Sequence, residues 1–142
     1  MSIDLERGIS NIGNQYRMKR LFERAEAGKK LTIGFLGGSI TQGCLSSTPK
    51  LCYAYRVYEW WVNTFPQAEF RYVNAGIGGT TSHFGTARAE SDLLSHNVDF
   101  AIIEFSVNDD STEFFKETYE GLVRKVWKNE SKPAVMLVHN VY

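Results

Sequence analysis

The sequence has 142 residues and carries as many acidic as basic side chains, so its formal net charge at neutral pH is zero. It lacks the basic excess of a nucleic-acid-binding domain, and we expect its lysines and arginines to lie at the surface. No stretch approaches the roughly 20 apolar residues that span a bilayer, and the first ten residues do not resemble a signal peptide. Composition therefore predicts one cytoplasmic domain over residues 1–142 that binds neither nucleic acid nor membrane.

Helical and extended segments alternate along the chain. Apolar residues at steps of three and four mark the helices, and short apolar runs such as LTIGFL and FAIIEFS mark buried strands. The predicted elements are, in order, a helix over 14–30, a strand over 31–36, a helix over 51–65, a strand over 69–74, a helix over 83–96, a strand over 100–106, a helix over 115–126 and a strand over 134–138. This order predicts a mainly parallel sheet with helices on both faces, a three-layer α/β/α fold.

The spacing also predicts which side chains face the core. In the first helix the apolar stripe consists of Met18, Leu21, Phe22 and Ala25. In the second helix it consists of Leu51, Tyr55, Tyr58, Val62 and Phe65. Most aromatic side chains of the second helix are therefore expected to pack inside rather than to form a sugar-binding surface. Glu104, within the apolar third strand, is expected to be a paired buried carboxylate.

Three segments rich in small and polar residues follow the first three strands: GGSIT, NAGIGGTTS and SVNDD. Ligands of open parallel sheets bind at the carboxyl ends of the strands, so we expect these segments to converge on one rim. Taken alone, Ser39 could be a capping serine in a glycine turn and Asn108 a turn residue. Asp109 and Asp110 are expected to cap the helix that follows. The glycine spacing departs from a dinucleotide fingerprint, and a Walker lysine is absent from the first segment.

Together the three segments resemble the first three sequence blocks of SGNH (GDSL-type) hydrolases, in the same order and after successive strands. GGSIT is similar to a first block whose commoner form is Gly-Asp-Ser, so Gly38 departs from that form. NAGIGGTTS and SVND are similar to the second and third blocks. The resemblance spans roughly residues 31–140 and implies a flavodoxin-like form of the α/β/α fold. The GGS form of the first block looks most like carbohydrate esterases that remove acetyl groups.

The resemblance implies roles for individual residues. Ser39 would be the nucleophile. The backbone N–H of Gly79 and the side-chain amide of Asn108 would bind the oxyanion, with the N–H of Ser39 as a third donor. Asn74 and Thr80 would brace the loops.

A serine hydroxyl needs a general base, which this family supplies as a histidine in an Asp-x-x-His block near the C-terminus. The sequence contains no Asp-x-x-His. We therefore interpret the chain as truncated at its C-terminus, without the last helix, a possible fifth strand and this block. His139 and His83 are expected near the rim as structural or substrate-contacting residues rather than as the base, and His96 is expected at the surface.

Three functional hypotheses remain. The first is a serine esterase that forms an acyl-serine intermediate and deacetylates a carbohydrate ester, without any metal or organic cofactor. The second is a non-catalytic carbohydrate-binding or interaction domain that retains the fold, and the third is an acyltransferase that uses the same serine. Cys44 and Cys52 are expected to be reduced thiols. Truncation would expose apolar surface beside the fourth strand, so we expect the isolated chain to self-associate or to pair with its missing C-terminal segment.

Overall fold

The structure is a computed structural model that describes residues 5–140. The helices and strands of these residues are α1 (Tyr16–Glu26), β1 (Lys30–Gly37), α2 (Ser39–Gln42), α3 (Tyr53–Thr64), β2 (Glu69–Gly76), α4 (Ser82–Asp92), β3 (Phe100–Glu104), α5 (Glu113–Lys128) and β4 (Ala134–Leu137). Every predicted element is present, and the single turn α2 is an addition. Across the described range, none of the helices combines the length and apolarity needed to cross a membrane.

The four strands form one parallel sheet in the order β2-β1-β3-β4. This is the flavodoxin-like order, in which the chain reverses its direction of winding between β1 and β3. The predicted three-layer α/β/α fold is therefore confirmed. Because β1 and β3 are neighbours, the segments that follow them lie side by side at the carboxyl edge, and the segment after β2 flanks them.

The two faces of the sheet are covered by different kinds of core. Helices α1 and α3 bury an aromatic cluster in which Trp61 stacks on Phe22 and Phe65, with ring centroids 5.0 and 5.4 Å apart. Helices α4 and α5 bury mainly aliphatic side chains, among them Leu93 and Leu122. Alternate residues of each strand point to opposite faces, so one strand supplies both cores.

The core-facing stripe of α3 differs from the predicted one. Trp61 is 2% exposed, whereas Val62 is 37% and Leu51 is 57% exposed. Leu51 lies in a short 3-10 turn before the helix begins at Tyr53. Turning the indole inward removes more apolar surface from water than turning a valine inward, so the larger residue decides the orientation of the helix. The stripe predicted for α1 is confirmed.

Strand β4 is the outer strand of the described sheet and pairs only with β3 within residues 5–140. Two of its large apolar side chains remain substantially exposed, Met136 by 45% and Leu137 by 40%. The exposed apolar surface expected beside the fourth strand is therefore present. Self-association through it stays a prediction.

Candidate active site

Ser39 occupies the first position of α2, directly beyond the carboxyl end of β1. The preceding Gly38 is fixed to β3, because its N–H donates to the carbonyl oxygen of Glu104 at 3.3 Å. The first N–H groups of a helix have no acceptor within it, and this applies to the N–H of Ser39. Since α2 is a single turn, its dipole contributes little and individual N–H groups supply the positive potential. Ser39 is thus a partly exposed residue whose own N–H has no acceptor within the helix.

The glycine segment after β2 lies against Ser39. A Cβ placed on Gly78 would stand 3.6 Å from the Cβ of Ser39, and the Gly78 N–H donates to Oε1 of Gln42 at 2.6 Å. Gly79 has a φ of +71°, a left-handed conformation that glycine adopts without steric cost. Apart from chain neighbours, no described atom lies within 4 Å of where its Cβ would be. The backbone of Gly79 is therefore open to an approaching molecule.

Asn108 brings the third segment to the same place. Its Nδ2 donates to the carbonyl oxygen of Thr80 at 2.8 Å, and a Cβ on Gly38 would stand 3.1 Å from that nitrogen. An amide nitrogen carries two hydrogens, so one bond orients the group and the second N–H stays available. Asn108, Ser39 and Glu104 line one shallow depression. The structure thus places the three predicted site residues, Ser39, Gly79 and Asn108, at one rim.

A buried arginine holds the carboxyl ends of β1 and β2. Arg88 of α4 is 7% exposed and donates to the carbonyl oxygens of Ala75 at 2.6 Å and Gly37 at 3.1 Å. The expectation that the arginines lie at the surface is wrong for this residue. A buried backbone carbonyl needs a hydrogen-bond donor. Here the guanidinium, in place of water, donates to two carbonyls at the strand ends. The buried small neighbour Ala89 is a weak sequence signal that the helix runs close to the sheet here.

Asn74 and Thr80 make the bracing contacts that the resemblance implies. Asn74 Nδ2 donates to the carbonyl oxygen of Thr41 at 2.8 Å, and its Oδ1 accepts from the N–H of Gly76 at 2.9 Å. The hydroxyl of Thr80 donates to the carbonyl oxygen of Ile77 at 2.7 Å. Asn74 therefore ties the end of β2 to the turn that carries Ser39, and Thr80 tightens the glycine segment.

Glu104 is buried at the end of β3, as expected, with 1% of its surface exposed. Its partners in the described chain are hydroxyl groups rather than a cation: Thr41 at 3.4 Å and Ser106 at 3.5 Å. Thr41 also shares a hydrogen bond of 2.9 Å with the hydroxyl of Tyr53. Burial, reinforced by the nearby carboxylate of Glu104, raises the pKa of Tyr53 to about 12. Tyr53 is therefore a neutral hydrogen-bonding group beneath the site.

None of the three histidines is hydrogen-bonded to Ser39 within the described residues. His83 is exposed and its ring lies tilted against that of Phe114, with ring centroids 5.4 Å apart. His139 is exposed just beyond β4, its ring centroid 6.1 Å from that of Tyr119. His96 is partly exposed, and its Nδ1 lies 3.2 Å from a guanidinium nitrogen of Arg71.

The prediction that Asp109 and Asp110 cap the following helix is wrong. Helix α5 is preceded by Thr112, which makes no side-chain cap. Instead, Oδ1 of Asp109 accepts from the N–H of Ser82 at 2.9 Å, at the start of α4. The cause is a tight turn after β3, in which the N–H groups of Asn108 and Asp109 both donate to the carbonyl oxygen of Phe105. Asp110 is exposed.

Residues 35–141 match the model of the GDSL-like lipase/acylhydrolase family. The comparison with curated proteins found no match.

Among solved structures, a two-domain esterase (CEX) active on acetylated mannans, co-crystallised with mannopentaose, is 69% identical with a TM-score of 0.98. That match covers 100% of this chain and 39% of the esterase. A second structure of the esterase is 70% identical with a TM-score of 0.97, covering 99% and 38%. A variant of an acetyl-xylooligosaccharide esterase from Geobacillus stearothermophilus is 25% identical with a TM-score of 0.58, covering 79% and 60%. The chain thus spans about two fifths of the length of the mannan esterase.

Proposed function

The chain belongs to the GDSL-like lipase/acylhydrolase family, and we propose that it carries the nucleophile and the oxyanion donors of a serine esterase that deacetylates a carbohydrate. The observation that carries the proposal is the meeting of three strand-end segments at Ser39, where Gly78 stands next to the serine and Asn108 bonds to Thr80. Residues 1–142 would form the N-terminal and central part of one catalytic domain.

In the proposed reaction, Ser39 Oγ attacks the carbonyl carbon of the ester while its proton passes to a general base. The carbonyl oxygen becomes an oxyanion that accepts hydrogen bonds from the N–H groups of Ser39 and Gly79 and from Asn108 Nδ2. Collapse of this intermediate breaks the bond to the sugar oxygen, which leaves with the proton from the base. Water then attacks the acyl-serine, releases acetate and restores the serine hydroxyl. No step requires a metal or an organic cofactor.

We propose that the general base comes from outside these 142 residues. The sequence has no Asp-x-x-His, and within the described residues no histidine is hydrogen-bonded to Ser39. The related mannan esterase is more than twice as long as this chain. Glu104 is not proposed as the base, because its buried carboxylate accepts hydrogen bonds from the hydroxyl groups of Thr41 and Ser106.

The proposed substrate is an acetylated mannan, on the strength of the 69% identity to an esterase active on such polymers. Acetate release from acetylated mannan and from acetylated xylan by the full-length protein would test this choice. We expect the mannan to be the better substrate. A preference for the xylan would retain the esterase mechanism and overturn the choice of polymer.

The nucleophile is tested by labelling the full-length protein with a fluorophosphonate, followed by mass spectrometry of its peptides. We expect the label on Ser39, and loss of both labelling and ester hydrolysis in Ser39→Ala. Ser47→Ala is the matched control, because Ser47 is an exposed serine of the segment that follows α2. Ester hydrolysis that persists in Ser39→Ala would overturn the proposal.

A further inference from the structure

Two hydrogen bonds join the segments that hold the proposed oxyanion donors. The amide of Asn108 reaches the carbonyl oxygen of Thr80, and the carboxylate of the next residue, Asp109, receives the N–H of Ser82 at 2.9 Å. The first bond faces the site and belongs to the proposed oxyanion donor itself. The second lies one residue further along the segment after β3 and two residues further along the segment after β2.

Asp109 caps the start of α4 from another segment of the chain, by accepting a backbone N–H of the helix. Ser82 is the first residue of this 11-residue helix, and the residue before it, Thr81, makes no side-chain cap. An unpaired N–H at a helix start needs an acceptor when it is buried, and Ser82 is 0% exposed. A carboxylate is a stronger acceptor than a neutral oxygen and also suits the positive end of the helix. Asp109 thus anchors the start of α4 to the turn after β3.

At its far end, the segment between Gly76 and α4 has a further hydrogen bond, from the hydroxyl of Thr80 to the carbonyl oxygen of Ile77. Two hydrogen bonds hold its near end. The N–H of Gly78 donates to Oε1 of Gln42, and the N–H of Ile77 donates to the carbonyl oxygen of Gly37. Gly79 itself is exposed and has no described side chain packed against its Cβ position. The direction of its N–H therefore depends on where the segment enters α4, three residues later. That entry point is the residue bonded to Asp109.

We propose that Asp109 is a positioning residue that sets the distance between the Gly79 N–H and the Asn108 amide, and so shapes the oxyanion site without touching substrate. The inference rests on the proposed esterase function. Loss of the Ser82 bond would let the start of α4 move away from the turn that carries Asn108. The two donors would then no longer point at one oxygen atom.

The test compares Asp109→Ala, Asp109→Asn and Asp110→Ala in the full-length protein, with 4-nitrophenyl acetate as substrate. A donor displaced by about 1 Å costs up to about 100-fold, so we expect kcat to fall about 10- to 100-fold in Asp109→Ala with KM little changed. Asparagine keeps an oxygen acceptor for Ser82 and should restore kcat to within about threefold. Asp110→Ala, which removes an exposed neighbouring carboxylate, should match the wild type. Affinity for a boronic acid that forms a tetrahedral adduct with the serine should fall in parallel with kcat.

A second variant removes the donor instead of the acceptor. Ser82→Pro has no N–H, and proline is well accepted at the first position of a helix. We expect Ser82→Pro to lower kcat as Asp109→Ala does, and the double variant to be no slower than either single one. If Asp109→Ala does not fold, the kcat of Ser82→Pro decides the question alone.

Wild-type kcat in Asp109→Ala, an equal loss in Asp110→Ala, or full activity in Ser82→Pro would each overturn the positioning role. Failure of the underlying function is distinguishable from these results. In that case the wild type would not hydrolyse the ester, or Ser39→Ala would still do so.

Discussion

Polar side chains at the two ends of the same sheet differ in their exposure and in their partners. At the amino ends of the strands, charged groups pair with each other in solvent: Lys30 and Glu69 are 2.8 Å apart, and their side chains are 83% and 68% exposed. At the carboxyl ends, Arg88 and Asn74 are turned inward and bond to backbone carbonyls. An exposed ion pair contributes little to stability, whereas a buried polar group is costly unless every hydrogen bond is made.

This difference shows which part of the molecule depends on precise positioning of its segments. At the amino ends Asp99 also accepts the N–H of Thr32 at 2.8 Å, but the Lys30–Glu69 pair remains in solvent. At the carboxyl ends the chain accepts buried polar groups, and each of them fixes one of the three segments around Ser39. The two ends should therefore respond differently to substitution in the full-length protein.

The largest expected effect is on the rim itself. Asn108→Ala removes a proposed oxyanion donor, and loss of one such donor lowers kcat by about 100- to 1,000-fold. Steady-state kinetics on 4-nitrophenyl acetate should place the loss in kcat with KM nearly unchanged. Asn11→Ala, in an exposed segment before α1, serves as the matched control. A kcat within twofold of the wild type would remove Asn108 from the proposed site.

Arg88→Met should be the most damaging change to stability at the carboxyl ends. It keeps most of the aliphatic stem but leaves the carbonyls of Ala75 and Gly37 without this donor. The Gly37 carbonyl keeps the N–H of Ile77 as a donor, but two hydrogen bonds from a charged group are lost, each contributing about 1.5–3 kcal/mol. We therefore expect the free energy of unfolding to fall by about 2–4 kcal/mol in urea titrations. Arg20→Met, in an exposed pair with Glu23, should change it by less than about 0.5 kcal/mol. Equal losses in both variants would refute the contrast.

Tyr53→Phe tests a weaker support beneath Ser39. Loss of the bond to Thr41 should cost about 1 kcal/mol at neutral pH. The folded-state pKa of Tyr53 is raised to about 12 from 10.0, so its contribution is complete below pH 10 and is lost as pH rises towards 12. Stability of the wild type should therefore fall more steeply than that of Tyr53→Phe between pH 10 and 12. Parallel curves of stability against pH in the two proteins would contradict this assignment. The other buried tyrosines are present in both proteins, so their titration does not affect the comparison.

The smallest effect is expected at the amino ends. Lys30→Met removes the partner of Glu69, whose hydrogen bond raises the pKa of Lys30 above its ordinary value. Both side chains are largely solvated, so we expect no measurable shift in the urea midpoint at physiological salt. A clear loss at low salt that persists at 1 M salt would show that this pair has a structural role after all.

The overall architecture could be predicted because it depends on patterns that survive in a single sequence. The alternation of apolar runs and amphipathic stripes places strands and helices in order, and parallel crossovers then leave few topologies. The meeting of Ser39 and Asn108 follows from that order, since both come directly after neighbouring strands. Neither depends on a particular side-chain contact.

Other features depend on contacts that leave no periodic mark. Arg88 lies on a helix like any surface arginine, and only the approach of α4 to the strand ends makes it a buried donor. Asp109 has the ordinary signature of a helix cap, but the turn after β3 directs it to the helix before it in sequence. The choice of Trp61 over Val62 reflects competition for space between α3 and the sheet. Each outcome is decided by tertiary packing.

The sheet order also has a consequence for how the protein folds. The hydrogen bonds that hold the rim join residues far apart in sequence: 27 positions for Ser82 and Asp109, 33 for Asn74 and Thr41, and 51 for Arg88 and Gly37. Contacts of this separation form slowly, because long segments must be ordered before they are made, whereas helical turns form locally. Far-ultraviolet circular dichroism should recover during refolding before Ser39 becomes reactive towards a fluorophosphonate. Serine reactivity is then a stringent measure of folding, because it requires both crossovers that join β1, β2 and β3 to be in place.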